Sequence, residues 1–97
     1  MALSVVLAPA AARDLDRIAE DRRRQVIGDL EEFARAPSWR APRVKRLRGF
    51  KPPLDRLRSG DYRILFRVVV DAIHAYRVID RKDLDRALKA FRHFKIR

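Results

Sequence analysis

The chain has no cysteine and only two histidines, His74 and His93. A disulfide framework and a thiolate metal site are therefore excluded. A zinc site would need carboxylates at a ligand spacing that does not occur, so no metal and no cofactor are expected. Long hydrophobic runs are missing too. The longest N-terminal one, Ala2 to Ala8, is too short to span a bilayer and is followed by Pro9. It lacks a basic leader, so the sequence predicts no signal peptide, no membrane partner and a cytoplasmic protein. No repeat or low-complexity tract appears. With 97 residues there is room for one domain, residues 1–97, and for no cofactor cleft between domains.

The scarcest resource is negative charge. Against 24 Lys and Arg stand 13 Asp and Glu, a net charge of +11. That excess points to a polyanionic partner, nucleic acid before an acidic protein.

Hydrophobic spacing supplies the elements. Ser4 to Ala8 predicts a short strand buried on both faces. Ala10 to Ala36 has helical spacing, with Leu15, Ile18 and Ala19, then Val26, Ile27, Leu30, Phe33 and Ala34. A wholly polar stretch, Glu20 to Gln25, separates the two stripes and predicts a helical hairpin that breaks near Asp21. Pro37 and Pro42 bracket a loop holding Trp39, whose ring either packs on the core edge or stacks on a base. Then the period changes to two. Val44 to Leu47, Leu54 to Arg58, Tyr62 to Val70 and Ile73 to Ile79 read as strands. Ser59-Gly60-Asp61 reads as a hairpin turn. A last helix from about Arg81 to His93 carries Leu84, Ala87, Leu88 and Phe91 on one face. Phe91, Phe94 and Ile96 extend that stripe. The order β-α-α-β-β-β-β-α predicts an α+β sandwich: a small antiparallel sheet, an N-terminal helical hairpin and a C-terminal helix, with the helices on one face.

Strand parity then assigns the charges. Tyr62, Ile64, Phe66 and Val68 share a core face, and His74, Tyr76 and Val78 follow it. Arg56, Arg58, Arg63, Arg67 and Arg77 fall on the other face with no acidic residue among them. One face of an antiparallel sheet is often simply wet. Five guanidiniums, each able to grip two phosphate oxygens, make it an anion-binding face. The densest basic stretch, Arg43, Lys45, Arg46, Arg48 and Lys51, flanks it and suits sequence-independent phosphate contact. Arg22, Arg23 and Arg24 lie in the helical region, as a solvated face or as further RNA contacts.

Three runs carry a family resemblance: RLRG (Arg46 to Gly49), LDRLRSGDYRILFRV (Leu54 to Val68) and RVIDRKDLDRAL (Arg77 to Leu88). Together they resemble the RelE/ParE superfamily of bacterial toxins, in length and element order as well as in motif. The resemblance implies a toxin of a type II toxin–antitoxin system with a RelE-like fold and a cognate acidic antitoxin. RelE-like members are ribosome-dependent, metal-free endoribonucleases that cut mRNA. ParE-like members share the fold and poison DNA gyrase. A third alternative is a toxin fold that has lost turnover and only binds antitoxin or RNA.

Cleavage by the 2′-hydroxyl needs a proton acceptor, a stabilised phosphorane and a protonated leaving oxygen. On the resemblance, Arg63 matches the motif arginine that stabilises the transition state. Arg81 matches the arginine after the last strand, in contact with phosphate or leaving group. Arg56 matches a preceding basic position, and Arg58 extends that row. The pattern departs at three positions: Leu54 replaces a base, Asp80 a histidine and Asp85 a tyrosine. The expected catalytic set is Arg56, Arg63 and Arg81. The expected RNA contacts are Arg43, Lys45, Arg46, Arg48, Lys51, Arg58, Arg67 and Arg77.

Overall fold

The computed structural model describes residues 2–93. Its elements are β1 (Ser4–Leu7), α1 (Pro9–Asp16), α2 (Glu20–Arg35), β2 (Val44–Leu47), β3 (Leu54–Ser59), β4 (Tyr62–Val69), β5 (Ala72–Asp80), a 3-10 turn (Arg81–Asp83) and α3 (Leu84–His93). The strands form one sheet in the order β1-β5-β4-β3-β2. The meander β2 to β5 is antiparallel, as the short connections require, and β1 joins β5 in parallel. The fold is α+β, with a mixed sheet. Among the described residues no helix is long and apolar enough to cross a membrane.

The helical hairpin turns earlier than Asp21. α1 starts at Pro9, whose fixed φ and missing N–H suit a first helical position, and ends at Asp16. The reason lies in the polar stretch itself. Arg23 Nε donates to the carbonyl of Leu15 at 3.1 Å, and Nη2 to that of Ile18 at 3.4 Å. Carbonyls freed where α1 stops are thus satisfied by a cation, which also suits the negative end of a helix. Arg24 pairs with Glu20 one turn away at 2.7 Å. Arg22 approaches Asp61 at 4.0 Å. Arg23 is thus committed within the protein, whereas Arg22 and Arg24 remain exposed.

α1 and α2 pack on one face of the sheet. Ala11, Leu15, Val26, Leu30, Phe33 and Ala34 meet Val44, Leu57, Ile64, Phe66, Ile73, Ala75 and Val78 in one core. Tyr62 and Val68 pack against it, so the expected inward parity of β4 holds. β1 differs from its expectation. It lies at the sheet edge with all four residues exposed, Val6 at 43%. An apolar run marks a strand, but does not tell an edge from a centre.

Two corrections concern the opposite face. First, α3 covers part of it. Phe91 meets Tyr76 and Phe50 with ring centroids 5.9 and 6.1 Å apart. Leu54 and Leu65 are fully buried outside the α1–α2 core, so this face has an apolar centre that a wet surface would not leave exposed. Helices therefore stand on both faces. Second, a bulge interrupts parity. Leu65 pairs with Arg77 but Phe66 with Ala75, leaving Tyr76 as the extra residue. Tyr76 therefore leaves the core face, and lies beneath the Arg67 guanidinium at 5.6 Å. His74 pairs in register with Arg67 and alternates with core residues Ile73 and Ala75. It too sits on the α3 side, not in the core. Phe94, Ile96 and the side chain of His93 lie outside what the structure describes.

Candidate cationic site at the β3–β4 hairpin

The β3–β4 hairpin turns at Gly60, whose φ of 57° is one that side chains resist. The turn is clamped to α2: Ser59 Oγ donates to Asp29 Oδ2 at 2.6 Å. Asp61 reaches forward, its carbonyl accepting from the backbone N–H of Arg81 at 2.8 Å. Its carboxylate stands 3.7 Å from Arg81 Nε. These ties bring the end of β5 beside the hairpin.

Four arginines meet there. Arg58 and Arg63 are direct cross-strand partners, and Arg56 lies two residues along the same face of β3. Arg63 Nη1 donates to the carbonyls of Gly60 and Tyr62, both at 3.0 Å. That folds its guanidinium back over the turn. Its pKa is lowered, first by burial and then by repulsion from Arg56, Arg58 and Arg81, against a smaller opposing pull from Asp61. A guanidinium so placed stays charged but is short of counter-charge. Nε of Arg56 is buried with no hydrogen-bond partner among the described residues. Lys45, exposed, pairs in register with Arg56 across β2–β3 and extends the same face. The arrangement can neutralise phosphate oxygens by forked hydrogen bonds.

The remaining expected contacts are placed differently. Arg77 reaches past the end of β1 to α1, where Nε and Nη2 bind Asp14 at 2.8 and 3.1 Å. Asp14 also accepts the N–H of Val78 at 2.8 Å, closing the stretch of β5 that β1 leaves unpaired. The hydrogen bond to Asp14 raises the Arg77 pKa, burial opposes it, and the charge of Asp14 adds to it. Arg67 is only 5% exposed and donates to the carbonyls of Pro53 and Pro52, each at 2.7 Å. Arg43 pairs with Asp29 at 3.3 Å and approaches Glu32 at 3.9 Å. Arg46 forks onto buried Asp55 at 2.9 and 3.3 Å. The expected open face of five arginines thus loses Arg67 and Arg77, because their carboxylate and carbonyl partners lie far along the chain. Arg48 is exposed in the lining of a groove between β2 and α3, and Lys51 is exposed in the connection that follows β2.

No imidazole or phenol replaces the missing proton-transfer groups at the matching positions. Asp80 Oδ1 accepts the N–H of Lys82 at 3.0 Å and caps the 3-10 turn. Asp85 is exposed in the first turn of α3. Trp39 packs edge-on against Phe33, centroids 5.4 Å apart, and donates to Asp55. Strand parity is silent on the acidic partners: Asp14 and Asp55 hold Arg77 and Arg46, and Asp61 of the turn also stands beside Arg81.

The chain as a whole matches a known class in sequence and in fold. The profile of the ParE toxin of the type II toxin–antitoxin system parDE matches residues 5–85. The chain belongs to this family of the RelE/ParE toxins. Among solved structures it is similar to the RelB–RelE antitoxin–toxin complex from Methanococcus jannaschii, at 25% identity and a TM-score of 0.67. That match covers 84% of this chain and 96% of the other. It is similar in fold to the RelE–RelB complex from Pyrococcus horikoshii, at 21% identity and TM-score 0.69 over 84% and 97% of the two chains. It also resembles the RelBE2 complex from Mycobacterium tuberculosis, at 23% identity and TM-score 0.70 over 82% and 99%. Among curated proteins none matches the sequence significantly.

Proposed function

We propose that this toxin inhibits translation by cutting mRNA on the ribosome, and that a cognate acidic antitoxin holds it inactive. The observation that carries the reading is the meeting of Arg56, Arg58, Arg63 and Arg81 at one hairpin, where Arg58 faces Arg63 directly across the strands and the cluster is short of counter-charge. Burial first, and then repulsion from the other three, lowers the Arg63 pKa. A phosphodiester passing over the hairpin relieves that shortage. In this reading Arg63 stabilises the phosphorane, Arg81 contacts the leaving group, and Arg56 binds the attacked phosphate. Arg58 and Lys45 hold neighbouring phosphates. The antitoxin follows from the family and from the +11 charge; the similar archaeal and mycobacterial structures are themselves complexes with RelB-type antitoxins.

One observation favours a second reading. Asp80 caps a turn where relatives that cleave RNA carry histidine, and the matching profile is that of ParE. A gyrase poison needs no proton transfer. Purified protein added to programmed ribosomes, with mRNA ends mapped by primer extension, separates the two. New A-site cuts that vanish in Arg63→Ala and Arg81→Ala establish the nuclease. Intact mRNA from folded protein, with loss of gyrase supercoiling, establishes the alternative.

A further inference from the structure

Trp39 and Arg46 stand at the sheet edge formed by β2, on the face opposite the arginine cluster. Both are fixed by one carboxylate. Asp55, 2% exposed, accepts from Trp39 Nε1 at 3.1 Å and from Arg46 Nε and Nη2 at 2.9 and 3.3 Å. Phe33 supports the indole edge-on from the core side. Yet Trp39 is 41% exposed and the Arg46 side chain 59%. A shallow, open depression of about 390 Å³ has both residues in its lining. Arg46 Nη1 has no partner among the described residues, and Arg40, adjacent to Trp39 in the chain, is exposed.

A core-capping tryptophan has no need of an open ring beside an immobilised cation. Such a pair is pre-organised for a planar group bearing an anion, since ordering entropy is already lost on folding. The indole offers a stacking surface that tolerates any base, and the guanidinium a phosphate contact. Charge selects the occupant: a protein of net charge +11 with a spare guanidinium here favours a polyanion. Continuity supports it. Arg46 is one residue from Lys45, which faces the cluster beside Arg56, so a flexible strand that rounds the β2 edge reaches both faces.

We propose that Trp39 and Arg46 form a nucleotide subsite for single-stranded RNA, with a base stacked on the indole and its phosphate on Arg46 Nη1. The proposal rests on the RNA-binding reading above and adds where a flanking nucleotide of the bound strand lies.

Trp39 is the only tryptophan, so its emission reports this site alone. The probe is a fluorescein-labelled, 2′-O-methylated hexauridine, which cannot be cut through its 2′-hydroxyl. Its anisotropy gives binding, and the unlabelled oligomer gives Trp39 quenching. Quenching that follows the binding curve is expected, with an abasic oligomer binding at least about fivefold more weakly and leaving the emission unchanged. Trp39→Phe, which keeps a ring, should retain most of the affinity that Trp39→Leu loses, both being checked for folding by circular dichroism. If anisotropy rises but Trp39 emission stays constant, the subsite is overturned and the cluster reading stands. If the oligomer fails to bind at all, both are overturned. Quenching by an acidic peptide and not by the oligomer overturns the subsite in favour of a protein-docking edge.

Discussion

Arg58 and Arg63 face each other directly across the β3–β4 hairpin. Like charges in that position oppose strand pairing. Arg56 and Arg81 add to the repulsion felt at Arg63. The hairpin is held in spite of this by Ser59 on Asp29 and by Asp61 beside Arg81. Replacing Arg58 by threonine, a good strand residue, should therefore raise the melting temperature while lowering toxicity. Thermal denaturation beside a growth-arrest assay checks it. A variant that is both less stable and less toxic would show that Arg58 serves the fold.

Arg67 behaves in the opposite way. It is buried at 5% exposure, and its two hydrogen bonds hold the Pro52–Pro53 connection against the sheet. Its face lies over Tyr76. Removing it loses two charge-assisted hydrogen bonds to the exposed Pro52–Pro53 connection and the contact with Tyr76, partly offset by relief of the buried, unpartnered Nη1, so Arg67→Met should cost about 1–3 kcal/mol. Arg67→Lys should rescue little, because one ammonium does not reproduce a planar fork. Urea titration of the three proteins measures both effects. A loss below about 0.5 kcal/mol in Arg67→Met would contradict the structural role.

These two arginines show what the sequence made legible. Both occupy the same parity set, and alternation placed both away from the α1–α2 core. The element order, the β2–β5 meander and the inward residues of β4 followed from period and turn chemistry alone. So did the grouping of Arg56, Arg58 and Arg63, because the hairpin is local. What parity omits is the partner. Arg77 is occupied by Asp14, 63 residues away, and no local pattern announces a contact of that span. The bulge at Tyr76 is equally silent in sequence, and it reassigns a side chain that alternation puts in the core. Edge or centre, for β1, is likewise a property of the assembled sheet.

The shifted guanidiniums predict how stability depends on pH. Arg77 is raised by Asp14, so its contribution is present below the unfolded guanidinium range and is lost only as pH rises through the folded one. Arg63 is lowered, so its charged form opposes folding throughout the working range. Arg77→Met should therefore destabilise at pH 6 and pH 9 alike, and the sign of each arginine's effect should not change between them. RNA binding through the cluster should be flat over the same interval, since no guanidinium titrates there. Anisotropy with labelled RNA at fixed ionic strength tests this. A binding step near pH 6.5 would implicate a histidine instead.

Salt separates the arginines that meet phosphate from those already paired. For single-stranded nucleic acid, each phosphate neutralised contributes about 0.7 to the slope of log K against log salt. Arg58, Arg63 and Lys45 face the proposed path, so alanine at Arg58 or Lys45 should reduce the slope by about 0.7. Arg43 is committed to Asp29 and Arg77 to Asp14, and alanine at either should leave the slope unchanged even where stability falls. The comparison is internal, since every variant loses one positive charge. An equal change in slope for all four would mean that the whole surface acts as a diffuse cation and that the hairpin cluster has no special place. A change confined to Arg58 and Lys45 would locate the bound strand on the β2–β3 face.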